Sequence, residues 1–160
     1  EVEPAVTELA HRFFSLPRSE RLQVHHMEAG EFLTRAGPAY DLVLIDAFDQ
    51  AGPVESVFHS QVLAALRARM APEAVTAINM WRGDPREYAA LSHRITTALQ
   101  APVYDIGLKE DPENLVQLIP LCSLDAKGLL RNSKRLEKQT GLKLLKHLQR
   151  LARLEIPEAR

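Results

Sequence analysis

Two apolar runs of strand length, YDLVLI at residues 40–45 and AVTAINMW at 74–81, are separated by a segment whose apolar positions Val57, Val62, Leu63 and Leu66 recur at helical spacing. That order constrains the chain more than any other feature. A strand, a crossover helix and a second strand lie parallel, with a right-handed connection. The first run is nearly continuous, which predicts a strand covered on both faces, and it ends on a carboxylate, Asp46. The helix between the two runs, ESVFHSQVLAALRARM, is expected to close near Pro72.

The same grammar extends in both directions. PAVTELAHRFFSL places Pro4 at a helix start, followed by Val6, Leu9, Ala10, Phe13 and Phe14 on one stripe. RLQVHHM at 21–27 predicts a short strand, and EFLTRA a short helix. DPREYAALSHRITTAL opens with an N-cap, Asp84, and a first-turn proline, Pro85. VYDIGL and NLVQLIPL are joined by only a short polar turn, which permits an antiparallel pair and no crossover. The expected fold class is therefore α/β: a Rossmann-like, mostly parallel sheet with a C-terminal antiparallel hairpin strand. Because the chain opens on a helix, the strand that would precede it is expected to be missing.

Charge divides the chain. Residues 125–160 carry ten Lys/Arg against four acids, and residues 1–124 carry ten against seventeen. We read 1–124 as a partial nucleoside-binding domain of Rossmann type, and 125–160 as amphipathic helices packing on it. The tail has no aromatic residue on which bases could stack, so nucleic acid is not the expected partner. No run reaches the length of a membrane helix, the N-terminus lacks signal-peptide features, and a cytoplasmic location is expected. The lone cysteine, Cys122, lies in an apolar run, where a buried, inert thiol is expected, and it excludes an internal disulfide. His25 and His26 alternate along an extended segment and cannot share one metal, so no metal is expected. Ser56 and Ser60 lack a nucleophile-elbow context. Trp81, at a strand end, could serve packing or border a ligand.

Open α/β sheets bind ligands at the carboxyl ends of their strands. The residues there are acidic: Glu1 and Glu3 at the first helix, Glu28 after LQVHHM, then Asp46 and Asp49. Carboxylates gathered at one rim call for hydrogen-bond donors or positive charge. Ribose hydroxyls, an adenine amino group, ammonium groups and a sulfonium all suit them, and a polyphosphate does not. Asp46, closing an apolar run, is costly there unless paired.

EVEPAVTELAHRFF, VHHMEAGEFL, the block YDLVLIDAFDQAGPVESVFHSQVLAALRARMAPEAVTAINMW and ENLVQLIPL together resemble the polyamine aminopropyltransferases, spermidine synthase and its relatives. The resemblance implies a class I S-adenosylmethionine-binding fold, without that family's glycine-rich turn or its N-terminal β-rich domain. It implies decarboxylated S-adenosylmethionine as co-substrate, without a metal, and a small-molecule amine as acceptor. Glu1 would bind the ribose hydroxyls, and Glu28 with Ala29 would lie at the adenine. Asp46 would border the nucleoside and, as the catalytic carboxylate, orient the attacking amine, while Asp49 would hold the cationic amine. DAFD departs from the family's DSSD-like form by placing Phe48 among small polar positions. The 160 residues alone are expected to be weakly active or inactive. Two other readings stand beside this one: a methyltransferase using S-adenosylmethionine itself, and a non-catalytic assembly module. A homo-oligomer stays open.

Overall fold

The computed structural model describes residues 1–50, 52–107, 113–145 and 148. Helix α1 (Pro4–Phe13) begins as predicted at its proline, with the Glu3 carboxylate accepting from the Ala5 amide at 3.2 Å. Helix α2 (Ala29–Thr34) is followed by strand β1 (Tyr40–Ile45) and a two-rung hairpin, β2 (Phe48–Asp49) and β3 (Gly52–Pro53). A 3-10 turn (Glu55–Phe58) leads into α3 (Ser60–Ala68), then β4 (Met70–Trp81), α4 (Pro85–Leu99), β5 (Tyr104–Gly107), β6 (Asn114–Pro120) and α5 (Ala126–Thr140). No described helix is long and apolar enough to cross a membrane.

The main sheet has the order β1-β4-β6-β5. β1 and β4 are parallel, and β6 runs antiparallel to both β4 and β5. β5 therefore points the same way as β1 and β4, with β6 the one reversed strand of the four. This is the parallel sheet with an antiparallel hairpin strand that the sequence predicts.

Alternation along the strands selects the packed face. Ala74, Thr76, Ile78 and Met80 of β4 and Leu115, Gln117 and Ile119 of β6 are buried against Phe58, Leu63, Leu66, Ile95 and Leu99 of the 3-10 turn, α3 and α4. Val43 and Ile45 join that face. Burying these side chains is the dominant stabilising term, about 1.5–3 kcal/mol for each large apolar residue.

Four sequence expectations are corrected. Residues 21–27 form no strand, and no strand of the described residues pairs with them. β1 is not covered on both faces, since Leu42 is 59% and Leu44 71% exposed. The helix before β4 does not run to Pro72: it breaks at His59 into a 3-10 turn and α3. Pro72 lies inside β4, where the register with β1 slips between Tyr40 and Leu42, and such an irregularity accepts a residue without an N–H. Finally, Cys122 is only partly buried. Most of the second tail helix read from the sequence lies outside the described residues.

Candidate functional site

Asp46 follows the last residue of β1. The parallel register sets Ile45 beside Ile78, so the next pair along is Asp46 and Asn79. The Asn79 Nδ2 donates to Asp46 Oδ1 at 3.0 Å. Asp46 is exposed, which removes the burial penalty expected from its place after an apolar run. One amide fixes the carboxylate while it remains open to solvent. Sequence reasoning missed Asn79, although a lone polar side chain near the end of an apolar strand, in register with Asp46, was available as a signal.

A groove of about 620 Å³ runs past this point. Its walls include Arg21, Gln23 and His25, Ala29 and Phe32 of α2, Tyr40 and Leu42 to Ile45 of β1, and Asp46. Of the predicted residues, Ala29 and Asp46 line it, and Glu1, Glu28 and Asp49 do not. Glu1 is tied to the same wall through its backbone: its amino group donates to His25 O at 3.4 Å, and its carbonyl accepts from Met27 N at 3.1 Å. The Glu1 carboxylate accepts from the Glu3 amide at 2.9 Å, and this bond holds its pKa below the usual value. Glu28 precedes α2 without a side-chain capping bond. Asp49 sits in the hairpin opposite Gly52. His25 packs on Phe32, with ring centroids 4.8 Å apart, while His26 meets Thr7 Oγ1 at 3.1 Å, so the two imidazoles have separate partners. Among the described residues no group of three or more His, Cys, Asp or Glu could hold a metal ion.

A second cleft, about 410 Å³, opens beyond β4 between the Pro53–Phe58 segment and the start of α4. Trp81 borders it, and donates from Nε1 to Glu113 at 3.2 Å. Behind Tyr88, another lining residue, lies a polar network that periodicity did not reveal. The Tyr88 hydroxyl donates to Asp105 at 2.5 Å, and Gln117 Nε2 lies within reach of Tyr88, Ser92 and Asp105 at 2.9, 2.7 and 3.2 Å. Burial, followed by the bond to Asp105 and its charge, pushes the Tyr88 pKa up.

No protein-family model and no curated protein matches the chain. Solved structures do. Human methyltransferase-like protein 13 in complex with SAH is 19% identical with a TM-score of 0.71, over 100% of this chain and 71% of that one. A probable spermidine synthase from Corynebacterium glutamicum is 16% identical with a TM-score of 0.66, over 83% and 52% of the two chains. The spermidine synthase from Thermotoga maritima is 14% identical with a TM-score of 0.60, over 81% and 48%. The chain has a class I methyltransferase-like fold. It spans about half the length of these two spermidine synthases. In this fold Asp46 and Asn79 stand at the carboxyl ends of two adjacent parallel strands, where open α/β sheets place their ligands.

Proposed function

We propose that this chain is the nucleoside-binding part of a transferase that moves an aminopropyl group from decarboxylated S-adenosylmethionine to an amine. The observation that carries the reading is the exposed Asp46 carboxylate at the carboxyl end of β1, oriented by the Asn79 amide. A protonated amine has no lone pair, so the acceptor reacts in its neutral form. As its nitrogen bonds to carbon, the carbon–sulfur bond breaks and its electron pair passes to the sulfonium sulfur. Positive charge moves to nitrogen, where a fixed carboxylate stabilises it and can accept the proton. Asp46 takes that role, Ala29 and Glu28 lie on the adenine side, Glu1 on the ribose side, and Asp49 beside the acceptor.

Methyl transfer from S-adenosylmethionine is the second reading. It is favoured by the likeness to the SAH-bound human protein, which extends over the whole chain. Calorimetry with the two nucleosides separates them: tighter binding of the decarboxylated form is expected, and a preference for the carboxylated form would favour methyl transfer. Asp46→Asn keeps the side-chain shape and the acceptor for Asn79. It should lower kcat by at least about 100-fold, the lower range for losing a positioned acid–base group, with little change in stability. Retained turnover removes Asp46 from the chemistry.

A further inference from the structure

Helix α5 keeps its cations apart from its sheltered residues. Asp125 caps it by accepting from the Lys127 amide at 3.0 Å, and it ends at Gly141, whose φ of 73° is the left-handed form that glycine allows. At about 100° per residue, the part-buried Leu129, Ser133 and Glu137 fall on one stripe. Gly128, buried as well, lies against the capping Asp125 side chain. The segment after Gly141 returns on the sheltered side, where the Leu145 amide donates to Glu137 Oε1 at 2.8 Å.

The far side carries only cations. Lys127, Arg131, Lys134, Arg135 and Lys138 share an arc of about 100°, and all five are exposed. Among the described residues none of them is paired with a carboxylate. The single acid of the helix, Glu137, is on the sheltered stripe. Like charges three and four residues apart repel, so the bare row weakens the helix, and a polyanion would relieve that.

The row is about 16 Å long at ~1.5 Å per residue. One strand of a duplex presents a phosphate every ~3.4 Å of axis, or about five over that length. No apolar or aromatic side chain lies on the arc, whereas a protein partner ordinarily needs such a core. A lipid surface would take the leucine side, Leu129, Leu130 and Leu136, and leave the cations pointing into water. The missing aromatics speak against single strands, whose bases need a stacking platform. A duplex keeps its bases stacked and offers its phosphates.

We propose that the basic face of α5 docks on the phosphate backbone of a nucleic-acid duplex without reading its sequence. The inference does not rest on the proposed transfer chemistry. The net acid of residues 1–124 works against any polyanion, so the salt dependence rather than the bare affinity carries the signature.

Fluorescence anisotropy of the 160-residue chain with labelled DNA and RNA duplexes tests it. Both should bind, with unrelated sequences alike. If five phosphates are neutralised, log K should fall against log salt with a slope of about −4.5, or roughly 500-fold between about 50 and 200 mM. Arg131→Gln combined with Arg135→Gln, a change to a comparable helix former, should bring the slope to about −2.7 with the helical circular dichroism unchanged. Lys138→Gln alone, at the last turn, should bring it to about −3.6. Arg12→Gln combined with Arg18→Gln removes the same charge from outside α5 and should leave the slope at its parent value. Absence of duplex binding at low salt would overturn the proposal, as would a slope that the α5 changes leave in place. Equal loss in both double variants would reduce the effect to net charge and remove α5 from it. Binding confined to single strands, to one sequence or to vesicles of anionic lipid would overturn it too.

Discussion

Arg69 is 8% exposed and, among the described residues, has no carboxylate partner. Its guanidinium donates to the carbonyls of Phe32 (3.1 Å), Arg35 (3.2 Å) and Pro38 (3.2 Å) and to the Tyr40 hydroxyl (2.9 Å), and lies 5.0 Å from both the Phe32 and Tyr40 ring centroids. It thereby fixes the link from α2 to β1, which brings Ala29 and Asp46 to one groove. Arg69→Met fills similar space and removes the charge. Four charge-assisted bonds at about 1.5 kcal/mol each set a ceiling near 6 kcal/mol. Against this, the cation no longer has to be desolvated, and the carbonyls of Arg35 and Pro38, both exposed residues, regain water. The remainder, lost partners at Phe32 and Tyr40 together with the ring contacts, comes to about 3 kcal/mol. With a urea dependence of roughly 2 kcal/mol per molar, the unfolding midpoint should fall by about 1.5 M. Arg69→Lys keeps the charge but not the planar fork, and should lose about half as much. A Met variant within about 0.5 kcal/mol of the parent, the range of an ordinary surface change, would refute this account of the loop.

Tyr88→Phe gives a pH signature. The folded pKa of Tyr88 is raised, so its contribution is complete below the unfolded value near 10 and is lost as pH climbs through the folded value. Urea melts should separate parent and variant at pH 8 and bring them together at strongly alkaline pH. Asp84→Ala removes the acceptor for the Arg86 and Glu87 amides, at 2.8 and 3.1 Å, and should cost about 1 kcal/mol in thermal melts. Leu44→Lys should change the stability of the 160-residue chain by less than about 0.5 kcal/mol, because that side chain faces solvent; a larger loss by urea denaturation would show the outer face of β1 to be covered.

The elements legible in sequence were those whose period matches their packing. β4 alternates buried and part-buried residues from Ala74 to Met80, and α4 announces both its cap and its first-turn proline. The hairpin of β5 and β6 followed from the length of its turn. Residues 21–27 have the composition of a strand, yet strand formation is completed by a neighbour, and composition does not supply one. The apolar run at 40–45 predicts cover on both faces and lacks it for the same reason: hydrophobicity reports what a residue would bury, not whether a covering element is present. At the site, Asp46 was readable because it interrupts an apolar run. Asn79 and the network of Tyr88, Asp105 and Gln117 were not, because each is defined by cross-strand or helix-to-sheet proximity between residues distant in sequence.

The exposure of Asp46 joins the fold to the proposed chemistry. A carboxylate and an ammonium 4 Å apart attract by about 1 kcal/mol in bulk water, and by about 4 kcal/mol at the effective dielectric of a protein surface site. The difference of about 3 kcal/mol corresponds to roughly a 100-fold effect on rate. Asp46 lies beside Asn79 on the side of the sheet where Leu42 and Leu44 are open, next to the unpaired edge of β1. Water reaches the carboxylate there, and a charge developing on nitrogen would be stabilised little better than in solution. Exclusion of that water by a bound nucleoside and acceptor would then act on turnover through the dielectric around a carboxylate that β1 and β4 have already positioned.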